Sequence, residues 1–375
     1  MPEILVYLLK ALVCVLLLVL LSGCTSINYY AHLAKGQLAM LSQRQSIVSL
    51  LESDELDPDL RARLLQVQRI RQFSSSQLGL ADNDSYRYYT DLKRPYAIWN
   101  VFAAPAFSIM PMQWCFPFAG CVSYRGYFSE ESAQAFADQL KEKGLDTYVG
   151  GVAAYSTLGW FDDPVLNTFL GKDETRLAAL LFHELAHQQV YLPGDTDFNE
   201  SFARCVEIAG VKRWLNTQGQ TSQIDQYLQQ QAIKNDFVEM MLALQASLDT
   251  LYQQTLPDEK KRIAKRQRIE NFLHQTYPEF KTRWNGYSGY DLWVKGKTAQ
   301  GESNTGPLVL NNAKLSTIAS YHRWLPAFEQ LLLDVEGDFK QFYQQVEQMS
   351  EWESGRRQQT LEQLDKRARA EHLLH

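Results

Sequence analysis

The sequence predicts a mainly helical α+β protein, and three observations carry that expectation. Apolar residues recur at three- and four-residue steps from Tyr29 to about Gln72. From about Arg94 to Phe161 the chain instead clusters Pro, Gly, aromatic and β-branched residues, the mark of short strands. Beyond Asp173 the helical pattern returns and runs to the end. The chain has 375 residues, of which 45% are apolar, 12% aromatic and 21% charged. Those proportions exclude a disordered polymer, a collagen-like repeat and a polytopic membrane protein. With 37 Lys+Arg against 43 Asp+Glu the net charge is −6. Nucleic acid is therefore not expected as a partner, because phosphate binding needs a basic face.

The first element is an unbroken apolar run, Ala11 to Leu21, after Lys10. It is shorter than the roughly 20 residues a membrane-spanning helix needs and suits a secretory signal. A membrane anchor extended back through Ile4 to Leu9 is the competing reading. Leu21-Ser22-Gly23-Cys24 resembles the bacterial lipoprotein signal, which implies removal of residues 1–23 and acylation of Cys24. Acyl chains on Cys24 would tether the mature protein to a lipid bilayer. Thr25, where an Asp would signal retention, favours the outer membrane with the protein facing the periplasm. Of the other cysteines, Cys115 and Cys121 suit a small disulfide loop in that oxidising compartment; two buried thiols are the alternative. Cys205 is expected to pack as a small apolar side chain.

Residues 24–93 read as a helical hairpin, with Leu33, Leu38, Leu41, Val48 and Leu51 on the first arm and Leu64 to Ile70 on the second. Asp57-Pro58 separates the two arms. Residues 94–215 read as a small sheet plus helices. The strands are expected at Ala97–Phe102, Cys121–Phe128 and Thr147–Ala154, with a helix at Glu130–Lys143. Residues 216–375 read as a C-terminal helical region broken by the loop-rich stretch Gly286–Gly306. The basic run Glu259–Arg268 reads as a solvated helix face.

The chemistry is carried by His183-Glu184-Leu185-Ala186-His187, in a helical window from Asp173 to about Val190 closed by Pro193-Gly194. Spacing of four stacks two imidazoles on one face, where they can grip one Zn²⁺. Glu184 is displaced around the helix, placed to reach a water instead of the metal, as a general base. A third ligand is expected downstream. Glu200, in Asn199-Glu200-Ser201-Phe202-Ala203, and Glu207, two turns on, both project from one side of a helix. Glu200 as ligand, with Glu207 orienting a histidine or Arg204, is the favoured reading. Glu207 as ligand is the second. In a third, Asp197 and Glu200 merely form a helix capping box.

Beyond that motif the chain resembles a family of bacterial predicted zinc aminopeptidases, lipoproteins of gluzincin-like type. The resemblance rests on Trp114-Cys-Phe-Pro, Tyr124-Arg-Gly-Tyr-Phe128, Gly150–Phe161, His183–Gln188 and Phe198-Asn-Glu-Ser-Phe-Ala203. It implies a thermolysin-like core of small sheet and zinc helices, with one Zn²⁺ held by His183, His187 and Glu200. It also implies that Val152, Ala153, Ala154, Tyr155 and Ser156 form an edge strand that pairs with the substrate backbone; an ordinary sheet strand is the alternative. A tyrosine from a distant helix stabilises the oxyanion in related enzymes, which singles out Tyr321, with His322 beside it; packing is the alternative for both. The Gly-x-Met-Glu-Asn strand that binds the substrate amino group in membrane-alanyl-type enzymes has no counterpart here, and Asp162 or Asp163 is the substitute. The expected function is a zinc metallopeptidase of the cell envelope, an aminopeptidase acting on short peptides. A zinc endopeptidase, or a non-catalytic envelope assembly factor using the same groove, are the alternatives.

Overall fold

The computed structural model describes residues 28–116, 120–154, 157, 161–296, 309–318 and 323–372. Cys24 and the whole apolar leader lie outside these, as do Tyr155, Ser156, Tyr321 and His322. Helix α1 (28–42) leads into β1 (Gln45–Ser46), α2 (Ile47–Glu52) and α3 (Pro58–Ser76). Asp57 caps α3 by accepting from Leu60 N, and Pro58 takes the first helical position, where no amide hydrogen is needed. Strands β2 (Tyr88–Thr90), β3 (Ile98–Pro105), β4 (Trp114–Phe116), β5 (Gly120–Val122) and β6 (Arg125–Tyr127) follow, then α4 (Glu130–Glu142), β7 (Leu145–Val152) and β8 (Val165–Leu166). The rest is helical: α5 (Asn167–Leu170), α6 (Glu174–Gln189), α7 (Thr196–Thr217), α8 (Thr221–Tyr252), α9 (Asp258–Asn271), a π-turn at Phe272–Thr276, α10 (Tyr277–Arg283), α11 (Asp291–Lys295), α12 (Asn312–Leu315), α13 (Leu325–Asp334), α14 (Phe339–Ser350) and α15 (Ser354–His372). The class is therefore α+β and mainly helical. No helix among the described residues is long and apolar enough to cross a membrane.

The strands form three small sheets, ordered β1-β2-β8, β6-β3-β7 and β4-β5. In the second, β3 pairs with β7 along its whole length, from Ile98 opposite Val152 to Pro105 opposite Leu145. Alternation splits β3 between two faces. Trp99, Val101 and Ala103 pack with Ala133, Ala137 and Leu140 of α4, while the Phe102 ring meets Tyr124 and Tyr148 on the other side. Cys115 and Cys121 are bonded, closing the β4–β5 hairpin, and Cys205 is a free buried thiol.

The apolar clusters cut across the segments at 93/94 and 215/216. The largest joins Ile47, Leu64 and Ile70 to Leu181, Phe182 and Phe202, and to Phe328, Phe342 and Leu361 near the C-terminus. A second cluster is built within α8–α12 around Phe237, Met241, Tyr277 and Phe280. Leu38 and Val48, expected on the buried face of the first helical arm, are instead 66% and 56% exposed. The reason is that this arm is two helices with a break at 43–46, so one continuous 3.6-residue phase does not apply to it.

Helices α6 and α7 approach closely where Gly210 faces Phe182. A Cβ at 210 would lie 2.8 Å from Leu78 Cδ1 and 2.9 Å from Phe182 Cδ2. Gly210→Ala should therefore destabilise the fold by about 1–3 kcal/mol through overpacking, despite alanine's better helix propensity. Urea unfolding midpoints measure this; an upward shift would contradict the tight contact.

Candidate metal centre

Helix α6 occupies the window expected for it. Asp173 caps it by accepting from Arg176 N, and Val190 ends it. Its buried face, Leu177, Ala178, Leu181, Phe182 and Leu185, fixes the helix in the main core. That anchoring turns His183 and His187, one turn apart, toward α7. Helix α7 starts at Thr196 with Asp195 as cap, accepting from Phe198 N. Glu200 therefore stands in the second turn, and the capping-box reading with Asp197 is removed. The Asn199 amide donates to Leu192 O and accepts from Leu192 N, both at 2.8 Å, clipping the α6–α7 connection. Arg357 of α15 reaches the Asp195 carboxylate at 3.3 Å and fastens the same corner.

The two helices bring three donor groups together. His183 Nε2 lies 3.2 Å from His187 Nε2 and 3.4 Å from Glu200 Oε2, and His187 Nε2 lies 3.5 Å from Glu200 Oε1. One donor atom from each residue falls within 4.8 Å of the other two, so the trio could bind a metal ion. Glu207 sits on the far side of the first imidazole, with Oε2 3.2 Å from His183 Nδ1. A carboxylate only accepts, so Nδ1 carries a hydrogen and Nε2 is the ring atom turned toward the trio. Glu207 is held in turn by the Arg204 guanidinium and by Tyr227 OH at 2.9 Å, while Arg204 also reaches Gln231. This is the carboxylate–histidine arrangement that sets the tautomer and ring angle of a metal-binding imidazole. His187 lacks it: its Nδ1 is buried with no partner among the described residues.

The electrostatics favour a cation. Burial alone would lower the His183 pKa, yet hydrogen bonds to Glu200 and Glu207 raise it to about 10. His187 is held near 4 by burial and by the neighbouring imidazole, so it stays neutral with a lone pair to offer. Burial works against ionised Glu207, but His183 and Arg204 bring it down to about 2. Burial pushes Glu184 up to about 7, with positive charge at His183 opposing that rise. Lone pairs and carboxylates converging in a partly dry site match the nitrogen and oxygen donor set zinc prefers. Glu207→Gln should weaken metal binding about 10–100-fold without removing a ligand. A chelator competition titration measures it, and unchanged affinity would deny Glu207 its orienting role.

The structure does not gather every residue expected at the site. Of the described residues in that stretch, 152–154, only Val152 belongs to a strand. Edge strand β7 covers Leu145–Val152, and its pairing ends where Ala97 N meets Val152 O. Ala153 then leaves the sheet, its carbonyl taken by Thr168 Oγ1. Asp162 lies 4.0 Å from Arg44, and both oxygens of buried Asp163 accept at 2.8 Å from Thr157, through N and Oγ1. Asp163 is therefore occupied, while Asp162 has only a loose, solvent-exposed ion pair.

Other residues reach the site from outside the histidine motif and its following helix. Tyr124, on the link from β5 to β6, has its phenol held protonated chiefly by burial and then by Tyr191 and Glu200. Its hydroxyl therefore lies in electrostatic range of the third donor, next to that of Tyr191. Tyr86 is buried, takes a left-handed φ of 63°, and is coupled electrostatically to Glu184 and Asp163. The loop holding it is fixed by Arg71, which donates to Ser85, Ala81 and Asn83 carbonyls, and by Asn83 bonding Gln188 at 2.7 Å.

No curated protein and no solved structure matches the chain. A family model does, from residue 28 to residue 361, a span that takes in α6, α7 and the whole histidine–glutamate cluster. The chain therefore belongs to the family described as Putative aminopeptidase.

Proposed function

We propose that this protein is a zinc-dependent metallopeptidase tethered to the cell envelope through acylated Cys24, and that it trims short peptides from the amino end. The family supports peptidase activity. The observation that carries the finer reading is the convergence of His183, His187 and Glu200, with Glu184 beside them outside the donor trio. The gluzincin assignment and the outer-membrane, periplasm-facing location belong to the same reading.

When bound, Zn²⁺ would act as a Lewis acid, polarising the peptide carbonyl and acidifying the attacking water. Glu184 takes the proton of that water and returns it to the departing amine, the work of a carboxylate with a raised pKa. His183 and His187 turn their Nε2 atoms toward the trio, His183 releasing its Nε2 proton when a cation binds, and Glu207 keeps the remaining hydrogen on Nδ1. Arg204 and Tyr227 spare Glu207 from ever facing the core unpaired. A hydroxyl beside the trio is needed for the developing oxyanion. Tyr321 is one candidate, and Tyr124, coupled to Glu200, is the other. Removing the responsible hydroxyl should lower kcat by about 10²–10³-fold. Parallel kinetics of Tyr124→Phe and Tyr321→Phe assign it; full activity in both would remove the step from either residue.

An endopeptidase reading is favoured by one observation: buried Asp163 is fully used by Thr157, through N and Oγ1. Hydrolysis of matched peptides with free and acetylated amino ends decides between the two. An aminopeptidase loses its substrate on acetylation; an endopeptidase keeps it.

A further inference from the structure

The stripe that α8 presents to α7 extends one step beyond the groups that serve Glu207. Tyr227, Gln231 and Lys234 are spaced by four and then three residues, so they share one helix face. Helices α7 and α8 run antiparallel about the turn at Gly219, which has a φ of +68°. Tyr227 bonds Glu207, and Gln231, one turn along α8, bonds Arg204, one turn back along α7. The next step in the same register sets Lys234 opposite Glu200. The charges agree with that placement: Lys234 is coupled to Arg204, Glu207 and Glu200.

Lys234 is exposed and makes no hydrogen bond or ion pair within 4 Å among the described residues. Partial desolvation and the Arg204 charge lower its pKa, and Glu207 and Glu200 offset only part of that. An ammonium left without a close anion beside a metal centre is poised for an anion that arrives with the substrate.

We infer that Lys234 is the receptor for a substrate carboxylate, which makes the preferred substrates very short peptides with a free C-terminal carboxylate near the cleaved bond. This rests on the peptidase reading and narrows its substrate class. Longer chains would present a neutral amide at the same point and forgo the ion pair.

The test compares one dipeptide as its free acid and as its C-terminal amide. In the wild-type protein the free acid should have a kcat/KM about tenfold higher, the worth of one charge-assisted hydrogen bond. Lys234→Gln should bring that ratio close to one, mainly by raising KM for the acid, and Lys234→Arg should keep it. A second arm measures calorimetric binding of both peptides to the metal-loaded Glu184→Gln protein, alone and combined with Lys234→Gln. If the wild type cleaves neither peptide, yet binds the acid more tightly in a Lys234-dependent way, the hydrolytic reading falls and the carboxylate receptor stands. A ratio near one in the wild type, or one that survives in Lys234→Gln, overturns the inference.

Discussion

Glu184→Gln is expected to lower kcat by roughly 10²–10⁴-fold while the protein keeps its metal. The amide has almost the shape of the carboxylate, so packing around α6 should not change. What it lacks is the lone-pair basicity that draws a proton from water. Glu184 is outside the three donors that lie within 4.8 Å of one another, so its loss removes no ligand. Its position next to His183 and Asp163, with burial raising its pKa to about 7, is that of a group meant to exchange protons. Initial rates on a short peptide, paired with metal analysis of the same sample, check both halves. Turnover near wild type would sink the role of Glu184; loss of the metal would move it into the ligand set.

The second large effect is expected at Glu200. Glu200→Ala removes the single anionic member of the trio and leaves only two imidazole nitrogens, 3.2 Å apart, to hold the ion. Metal retention after dialysis should fall from about one ion per chain to almost none, and activity with it. The contrast with Glu207→Gln gives the prediction its edge. That change leaves three ligands and costs affinity, whereas Glu200→Ala leaves two and abolishes the site. Equal metal loss in both variants would mean Glu207 binds the ion directly, the alternative left open by the sequence. The 3.2 Å contact of Glu207 with His183 Nδ1, on the side away from His187, argues against it.

Much of this site is legible in the sequence because it is built from local geometry. Spacing of four for the histidines and of seven for the two glutamates fixes their faces on any helix, and Asp173 and Pro193-Gly194 bracket α6 closely. What spacing cannot settle is which of two same-faced carboxylates reaches the pair. That depended on where α7 begins, and Asp195 took the cap ahead of Asp197. Strand β7 stops at Val152, short of the Ala154 expected from the run of small and β-branched residues, because β3 runs out of partners at Ala97. Leu38 and Val48 misled because a helical period was carried across a break. Of the residues around Glu200 and Glu184 from elsewhere, Tyr86 and Lys234 have no local signature, and Tyr124 is marked only by the resemblance of its stretch, 124–128. They are 20 or more residues from the motif in sequence and arrive by tertiary packing.

The most direct examination of the central claim is zinc-edge X-ray absorption on the purified, zinc-loaded protein, with stoichiometry from the same sample. The account predicts about one zinc per chain in a shell of two imidazole nitrogens and oxygen donors, at roughly 2.0–2.1 Å, with no sulfur. It further predicts that the oxygen contribution falls in Glu200→Gln and not in Glu207→Gln. Sulfur ligation, a shell with fewer than two imidazoles, or a protein that binds no zinc while still cleaving peptides would contradict it.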